Sequence, residues 1–259
     1  MSLPENLSQF ATLVGIIARL RAPDGCPWDR KQTHSSLREN LLEECYEVLE
    51  ALDEGDSGEL CDELGDLLMQ VILHSQIATE AGEFELGDVV RSINTKLIHR
   101  HPHIFGTKKV KDAEEVALNW EVLKAEERGA DTPILESVPQ QMPALGYSQE
   151  IQRRAAQVGF DWEDVDGVID KLVEEVGEFK QAPSQEEKAK EFGDLLFTLA
   201  NVARRLGVDS EAALRQANRR FYRRFTYMEK VCRQRDLNFG ELSFDEQNAL
   251  WGEAKKETG

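Results

Sequence analysis

Apolar residues recur three and four positions apart through Leu13, Ile16, Ile17 and Leu20, then along LLEECYEVLEAL (41–52), then through Leu60, Leu64, Leu67, Leu68, Val71 and Ile72. That spacing gives a helix one apolar face, whereas the strict alternation of a half-buried strand is almost absent. Breaks fall at GCPWD (25–29), around Gly55 to Gly58, at Gly82 and at His101-Pro102, where glycine and proline punctuate the pattern. Helical periodicity lapses between Gly129 and Ser148, a stretch of twenty residues with three prolines and two glycines. It resumes through Val168 to Phe179, Phe192 to Leu206 and Ala212 to Cys232. The pattern predicts an all-α chain with a domain over residues 1–128, a linker over 129–148 and a second domain over 149–259.

The two halves are copies of one another. LLEECYEVLEAL resembles KLVEEVGEFKQA (171–182), DELGDLLMQV (62–71) resembles KEFGDLLFTL (190–199), INTKLIHR (93–100) resembles ANRRFYRR (217–224), and NWEVLKAEE (119–127) resembles LWGEAKKE (250–257). GCPWD is echoed by GFDW (159–162). Solenoids repeat a short unit three or more times, but this is one duplication of a unit over a hundred residues long, which predicts tandem helical-bundle domains.

Each copy carries acidic pairs at helical spacing: Glu44 with Glu47 and Glu63 with Asp66 in the first, Glu175 with Glu178 and Glu191 with Asp194 in the second. Residues three apart share a helix face, and these lie beside apolar stripes such as Leu172, Val176 and Phe179, so they point toward a helix–helix seam. Carboxylates gathered there repel one another and lose hydration, and a divalent cation compensates both costs. All-oxygen donors favour magnesium, manganese or calcium. Solvated glutamate-rich helices offer a simpler account of a single EExxE, but here the pairs are doubled, and a glycine precedes the aspartate in both copies (Gly65, Gly193). Such a glycine is unfavourable inside a helix, so close approach of a partner helix or of a phosphate is expected there. A di-iron carboxylate bundle would need Glu-x-x-His, and no histidine here has glutamate three residues before it. His99, His101 and His103 sit around Pro102 and suit a solvated helix end better than a metal site.

Charge narrows the ligand. With 49 acidic and 31 basic residues the formal charge is −18, which argues against a nucleic-acid polymer or an anionic membrane surface as partner. The N-terminus lacks a signal-peptide pattern, no run of 18 apolar residues occurs, and the four cysteines form no CxxC pair, so the expected location is the cytoplasm with reduced thiols. Basic residues cluster one helix after each acidic set: Lys96 and Arg100 in the first copy, Arg219, Arg220, Arg223 and Arg224 in the second. These are candidate phosphate contacts, and Trp120 and Trp251, closing the repeats, are candidates to stack on a base. The expected chemistry is cation-assisted hydrolysis of a polyphosphate, with Glu174 or Glu178 as the group that accepts the proton of water. A nucleotide-binding regulator without turnover, and a helical interaction protein with solvated acidic faces, are the rival readings.

Through GCPWDRKQTH, LLEECYEVLEAL, DELGDLLMQ, RHPHIF, VPQQMPAL, RRAAQVGFDW, KLVEEVGEF and KEFGDLLF, the chain resembles the MazG family of all-α nucleoside triphosphate pyrophosphohydrolases over essentially its whole length. The resemblance implies tandem four-helix-bundle-type domains, a homodimer, and Mg²⁺-dependent hydrolysis between the α and β phosphates to a nucleoside monophosphate and pyrophosphate, with Mn²⁺ as a substitute. It also implies a house-cleaning role against unwanted nucleotides and catalysis in the C-terminal domain. Carried over by motif, Glu175, Glu178, Glu191 and Asp194 would hold the metal, while Lys171, Glu174, Lys190, Asn218 to Arg224 and Trp251 would surround the nucleotide. Gln216 stands where the family's Lys-x-Asn-x-Lys pattern has its first lysine, and Arg219 is the residue expected to compensate.

Overall fold

The structure, a computed structural model, describes residues 6–128 and 132–259. Among these there are eleven α-helices, two 3-10 turns and no strand. The chain divides into two compact units, Met1–Ala130 and Asp131–Gly259.

The first unit contains α1 (Phe10–Arg21), α2 (Arg38–Glu54), α3 (Ser57–Ala81), α4 (Leu86–Arg100), the short α5 (Pro102–Phe105) and α6 (Ala113–Arg128). Helices α2 and α3 form a hairpin whose turn is explained by two residues. Gly55, with φ +71°, takes the left-handed conformation that ends α2, and Asp56 caps α3 by accepting hydrogen bonds from the amides of Gly58 and Glu59. The predicted breaks at Gly82 and at His101-Pro102 are also helix ends, the second because proline occupies the first position of α5. Ile17, Leu37, Ile72 and Leu73 form the core in which α1 packs on α3, and α4 packs on α3 and α6.

In the second unit the helices are α7 (Ala144–Gln157), α8 (Val165–Gln181), α9 (Gln185–Arg205), α10 (Ser210–Gln234) and α11 (Phe244–Thr258). Each of α8, α9 and α10 starts earlier than apolar periodicity indicates, because Asp164, Ser184 and Asp209 cap them through side-chain oxygens. Polar capping turns carry no apolar signal. For the same reason residues 144–148, expected as the end of the linker, are instead the opening of α7, which begins directly after Pro143. Helices α8 and α9 form the second acidic hairpin, α7 packs on α9, and α10 packs on α11, α7 and α9. Met228, Val231, Cys232, Leu250 and Ala254 make a core between α10 and α11. No helix among the described residues is long and apolar enough to cross a membrane.

The two units repeat one packing device. Arg100 lies over the ring of Trp120 at 5.3 Å and Arg224 lies over Trp251 at 5.6 Å, tying α4 to α6 and α10 to α11.

The glycine of GCPWD has a backbone role. After α1 the chain folds back so that the Cys26 amide donates to the Leu20 carbonyl at 2.7 Å. A Cβ on Gly25 would stand 2.2 Å from that carbonyl oxygen. Gly25→Ala is therefore expected to destabilise the first unit by about 2 kcal/mol or more, measured by urea unfolding; a change under about 0.5 kcal/mol would refute the constraint.

Candidate functional site

The acidic motifs converge within each unit. In the first, one carboxylate oxygen each of Glu44, Glu63 and Asp66 lie within 4.8 Å of one another; in the second, so do those of Glu175, Glu178 and Glu191. Of the eight candidate metal ligands, Glu47 and Asp194 fall outside these trios. Glu47 remains against its cluster, since desolvation, then Glu63 and Glu44, hold its carboxyl above the usual range. Asp194 turns toward Lys190, with Oδ2 3.5 Å from Nζ.

Helix geometry accounts for the second trio. Glu175 and Glu178 share a face of α8, Glu191 faces them from α9, and Phe179 of α8 meets Phe192 of α9 beside them, the rings tilted by 51° with centroids 5.9 Å apart. Glu175 is only 5% exposed, yet its Oε2 has no hydrogen-bond partner. A buried carboxylate oxygen left unpaired is costly, and a hard cation is the group that fits it and the neighbouring oxygens.

Two lysines stand within the second cluster. Lys171 Nζ lies 2.8 Å from Glu174 Oε1, 2.9 Å from Glu175 Oε1 and 4.0 Å from Glu178 Oε2, and Lys190 Nζ lies 2.9 Å from Glu191 Oε1. Glu174 first, then Glu175, raise the pKa of Lys171, and Glu191 raises that of Lys190, so both ammoniums stay charged. The first unit has Asn40 and Asp62 at the corresponding motif positions. In its cluster Gln70, buried at 2% exposure, donates from Nε2 to Glu44 Oε1 at 3.2 Å. Desolvation and then Asp66 hold the Glu63 carboxyl above its usual range. Nothing in the sequence pattern pointed to Gln70, which lies a turn beyond the motif.

Other candidates are placed differently. Gly65 and Gly193 show no close helix approach: a Cβ at either would meet nothing within 4 Å, so the expected helix contact is corrected to open surface beside the carboxylates. Lys96 is exposed on α4. Arg100 donates from Nε to both Glu127 oxygens, at 3.1 and 3.2 Å, and is covered by Trp120, so it serves α6. Arg224 donates to the Gly259 carbonyl at 3.1 Å and covers Trp251, which also contacts Phe221. Asn218, Arg220 and Arg223 are exposed on α10, and Arg219 is partly buried there. Of the histidines, His99 approaches Glu127 and His101 meets Trp120 edge-on.

Comparison with known proteins places both copies among pyrophosphohydrolases. Residues 32–105 match the model described as MazG nucleotide pyrophosphohydrolase domain, and residues 148–221 match that of phosphoribosyl-ATP pyrophosphohydrolase. A Thermotoga maritima protein named nucleoside triphosphate pyrophosphohydrolase/pyrophosphatase MazG is 45% identical over 247 residues, covering 95% of each chain. An Escherichia coli K12 nucleoside triphosphate pyrophosphohydrolase is 40% identical over 259 residues, covering 97% of this chain and 98% of its own. The Bacillus subtilis protein YabN, which carries no functional description, is 45% identical over 253 residues, covering 96% of this chain and 52% of its own.

The Arg100 contact sets a pH test. Hydrogen bonds from Arg100 hold the Glu127 carboxyl down at about 2. A depressed carboxylate pKa stabilises the fold above the ordinary glutamate value, and that contribution is lost as pH falls through about 2. In Arg100→Gln the Glu127 titration, followed by carboxyl NMR, is expected to move up toward about 4.3, and the variant's stability deficit at pH 7 should vanish in strong acid. An unmoved Glu127 titration would show that Arg100 is not its partner.

Proposed function

The chain belongs to the MazG family of nucleotide pyrophosphohydrolases, and on that premise we propose that it hydrolyses nucleoside triphosphates between the α and β phosphates, releasing nucleoside monophosphate and pyrophosphate. The observation that carries this reading is Glu175: a buried carboxylate with an orphaned oxygen, set among Glu178 and Glu191 and flanked by two lysines.

Glu175, Glu178, Glu191 and Asp194 would hold Mg²⁺, with Mn²⁺ as a substitute, because an all-carboxylate set suits a hard divalent ion. Such an ion, when bound, neutralises phosphate charge and lowers the pKa of water. Lys171 and Lys190 point their ammoniums into the same cluster, where they balance the charge of the departing pyrophosphate. Glu174, more than half exposed beside Lys171, or Glu178 would accept the proton of the attacking water. Asn218, Arg219, Arg220 and Arg223 on α10 would extend the positive surface along the nucleotide, with Arg224 and Trp251 fixing that helix.

We assign catalysis to the second unit, whose cluster carries Lys171 and Lys190; Glu44, Glu47, Glu63 and Asp66 would hold a metal in the first, where Asn40 and Asp62 occupy the corresponding positions. The assembly we propose is a homodimer. The stripe of Val90, Ile93 and Leu97 on α4 and that of Leu64, Leu68 and Val71 on α3 are exposed at helical spacing, a pattern that calls for a covering surface. A house-cleaning role in the cytoplasm suits a strongly acidic enzyme of small anionic substrates that reach it with their cations.

The purified protein with Mg²⁺ should release pyrophosphate from nucleoside triphosphates, and each of Glu175→Ala, Glu178→Ala and Glu191→Ala should lower kcat by roughly a hundredfold or more, while Glu44→Ala changes it by less than about twofold. Absence of pyrophosphate from every common triphosphate would end the enzyme reading. Equal losses from Glu44→Ala and Glu175→Ala would end the assignment to the second unit.

A further inference from the structure

Each of the four motif carboxylates of the second unit has a cation beside it that belongs to the chain. Lys171 Nζ lies 2.9 Å from Glu175 Oε1 and 4.0 Å from Glu178 Oε2, and Lys190 Nζ lies 2.9 Å from Glu191 Oε1 and 3.5 Å from Asp194 Oδ2. Helical spacing makes this possible, because Lys171 precedes Glu175 by one turn of α8 and Lys190 precedes Asp194 by one turn of α9. Each lysine thus serves the carboxylates of its own helix. At the corresponding positions of the first unit, Asn40 supplies no charge and Asp62 adds a negative one.

An ammonium and a hard divalent ion claim the same oxygens. Across a shared carboxylate their like charges repel, and the repulsion is strongest where water is excluded, as it is around Glu175. The lysines do not complete the set, however. Lys171 takes Oε1 of Glu175 and leaves the buried Oε2 without a partner, so the site still has an oxygen to offer a cation. The charge on the two sides of an exchange is equal: two ammoniums withdraw and one divalent ion enters, so the carboxylate set carries the same net charge before and after. What the exchange needs is another anion for the lysines, and phosphate oxygens are strong partners for ammonium groups. Lys190, exposed at 71%, is free to swing, whereas Lys171 is held by Glu174 Oε1 at 2.8 Å as well.

We propose that Lys171 and Lys190 are internal counter-ions that hold the second carboxylate set against a divalent cation arriving alone, and that they pass to the phosphates when the cation arrives with a nucleoside triphosphate. The cation and the substrate are then taken up together. This rests on the pyrophosphohydrolase reading for the identity of the anion; the competition between ammonium and metal stands on the distances.

Manganese alone is the first probe, with its free-ion EPR signal giving the dissociation constant. Every protein is the full chain carrying Glu44→Ala and Glu63→Ala, so that the first carboxylate set is disabled. Lys171→Met with Lys190→Met should lower the constant of the second set roughly tenfold or more. Lys171→Arg with Lys190→Arg keeps the charge and should leave it within about threefold. A change under about twofold in the methionine variant overturns the proposal. So does an equal gain in the methionine and arginine variants, which would make the effect one of packing and not of charge. The second probe is the ¹H–¹⁵N signal of each ammonium in the chain with native lysines. Equimolar Mg²⁺ alone should leave both signals in place, and Mg²⁺ with a triphosphate analogue bearing a methylene between its α and β phosphates should shift both. Signals that move with Mg²⁺ alone overturn the exchange. If pyrophosphate is released from triphosphates while the manganese constant does not respond to the lysines, this inference falls and the enzyme reading stands. If no triphosphate yields pyrophosphate, the enzyme reading fails, and the manganese constants by themselves decide the counter-ion role.

Discussion

Carboxylates held in a helix–helix seam must be compensated for charge and for lost water, and both units are arranged around that requirement. In the second, Phe179 and Phe192 meet across the seam and Glu175 is carried into it, where one oxygen meets Lys171 and the other meets nothing. The desolvation cost of such a group is several kcal/mol when unpaired. A hard cation is the group whose chemistry fits such an oxygen and its carboxylate neighbours. The α8–α9 hairpin, the caps that start it and the lysines on its surface all serve to hold this one arrangement.

Duplication supplied two such hairpins, and their differences are chemical more than architectural. Asn40 and Asp62 stand where the second copy has Lys171 and Lys190, and in the first cluster desolvation, with the neighbouring carboxylates adding to it, raises the pKa of Glu47 and Glu63. What the copies share outside the acidic helices is structural. Arg100 on Trp120 and Arg224 on Trp251 are the same stack in each unit, and they explain two arginines that otherwise look like phosphate ligands. Arg100 is held by a ring and by the Glu127 carboxylate, and Arg224 by a ring and the Gly259 carbonyl, while Lys190 is 71% exposed and lies 2.9 Å from Glu191.

The sparse core fits a chain that does not bury all of its apolar surface within one copy. Each unit relies on a small cluster, Ile17, Leu37, Ile72 and Leu73 in one and Met228, Val231, Cys232, Leu250 and Ala254 in the other. Stripes on α3 and α4 stay exposed. A cavity walled by Phe160, Trp162 and Phe197 adds apolar surface near the carboxylates, so the second unit presents a charged end and a flat, greasy end along the same helix.

The sequence by itself determined what is local. Helical period, breaks at Gly55, Gly82 and Pro102, the duplication and the acidic pairs three residues apart are all readable because each depends on residues within a turn or two of one another. Polar caps such as Asp164 and Ser184 escaped the periodicity because they bond to backbone and carry no apolar signal. Only the tertiary structure decided which three carboxylates meet, that Glu178 in one copy and Asp66 in the other complete the trio, and that Gly65 and Gly193 face open space. It also decided that Gln70 supports Glu44, that Arg100 belongs to Glu127, and that a loop, α7 and α9 enclose a cavity with an unmatched acceptor. The reason is the same in each case: desolvation and hydrogen-bond matching depend on atoms brought together from distant parts of the chain, and spacing along one helix does not specify them.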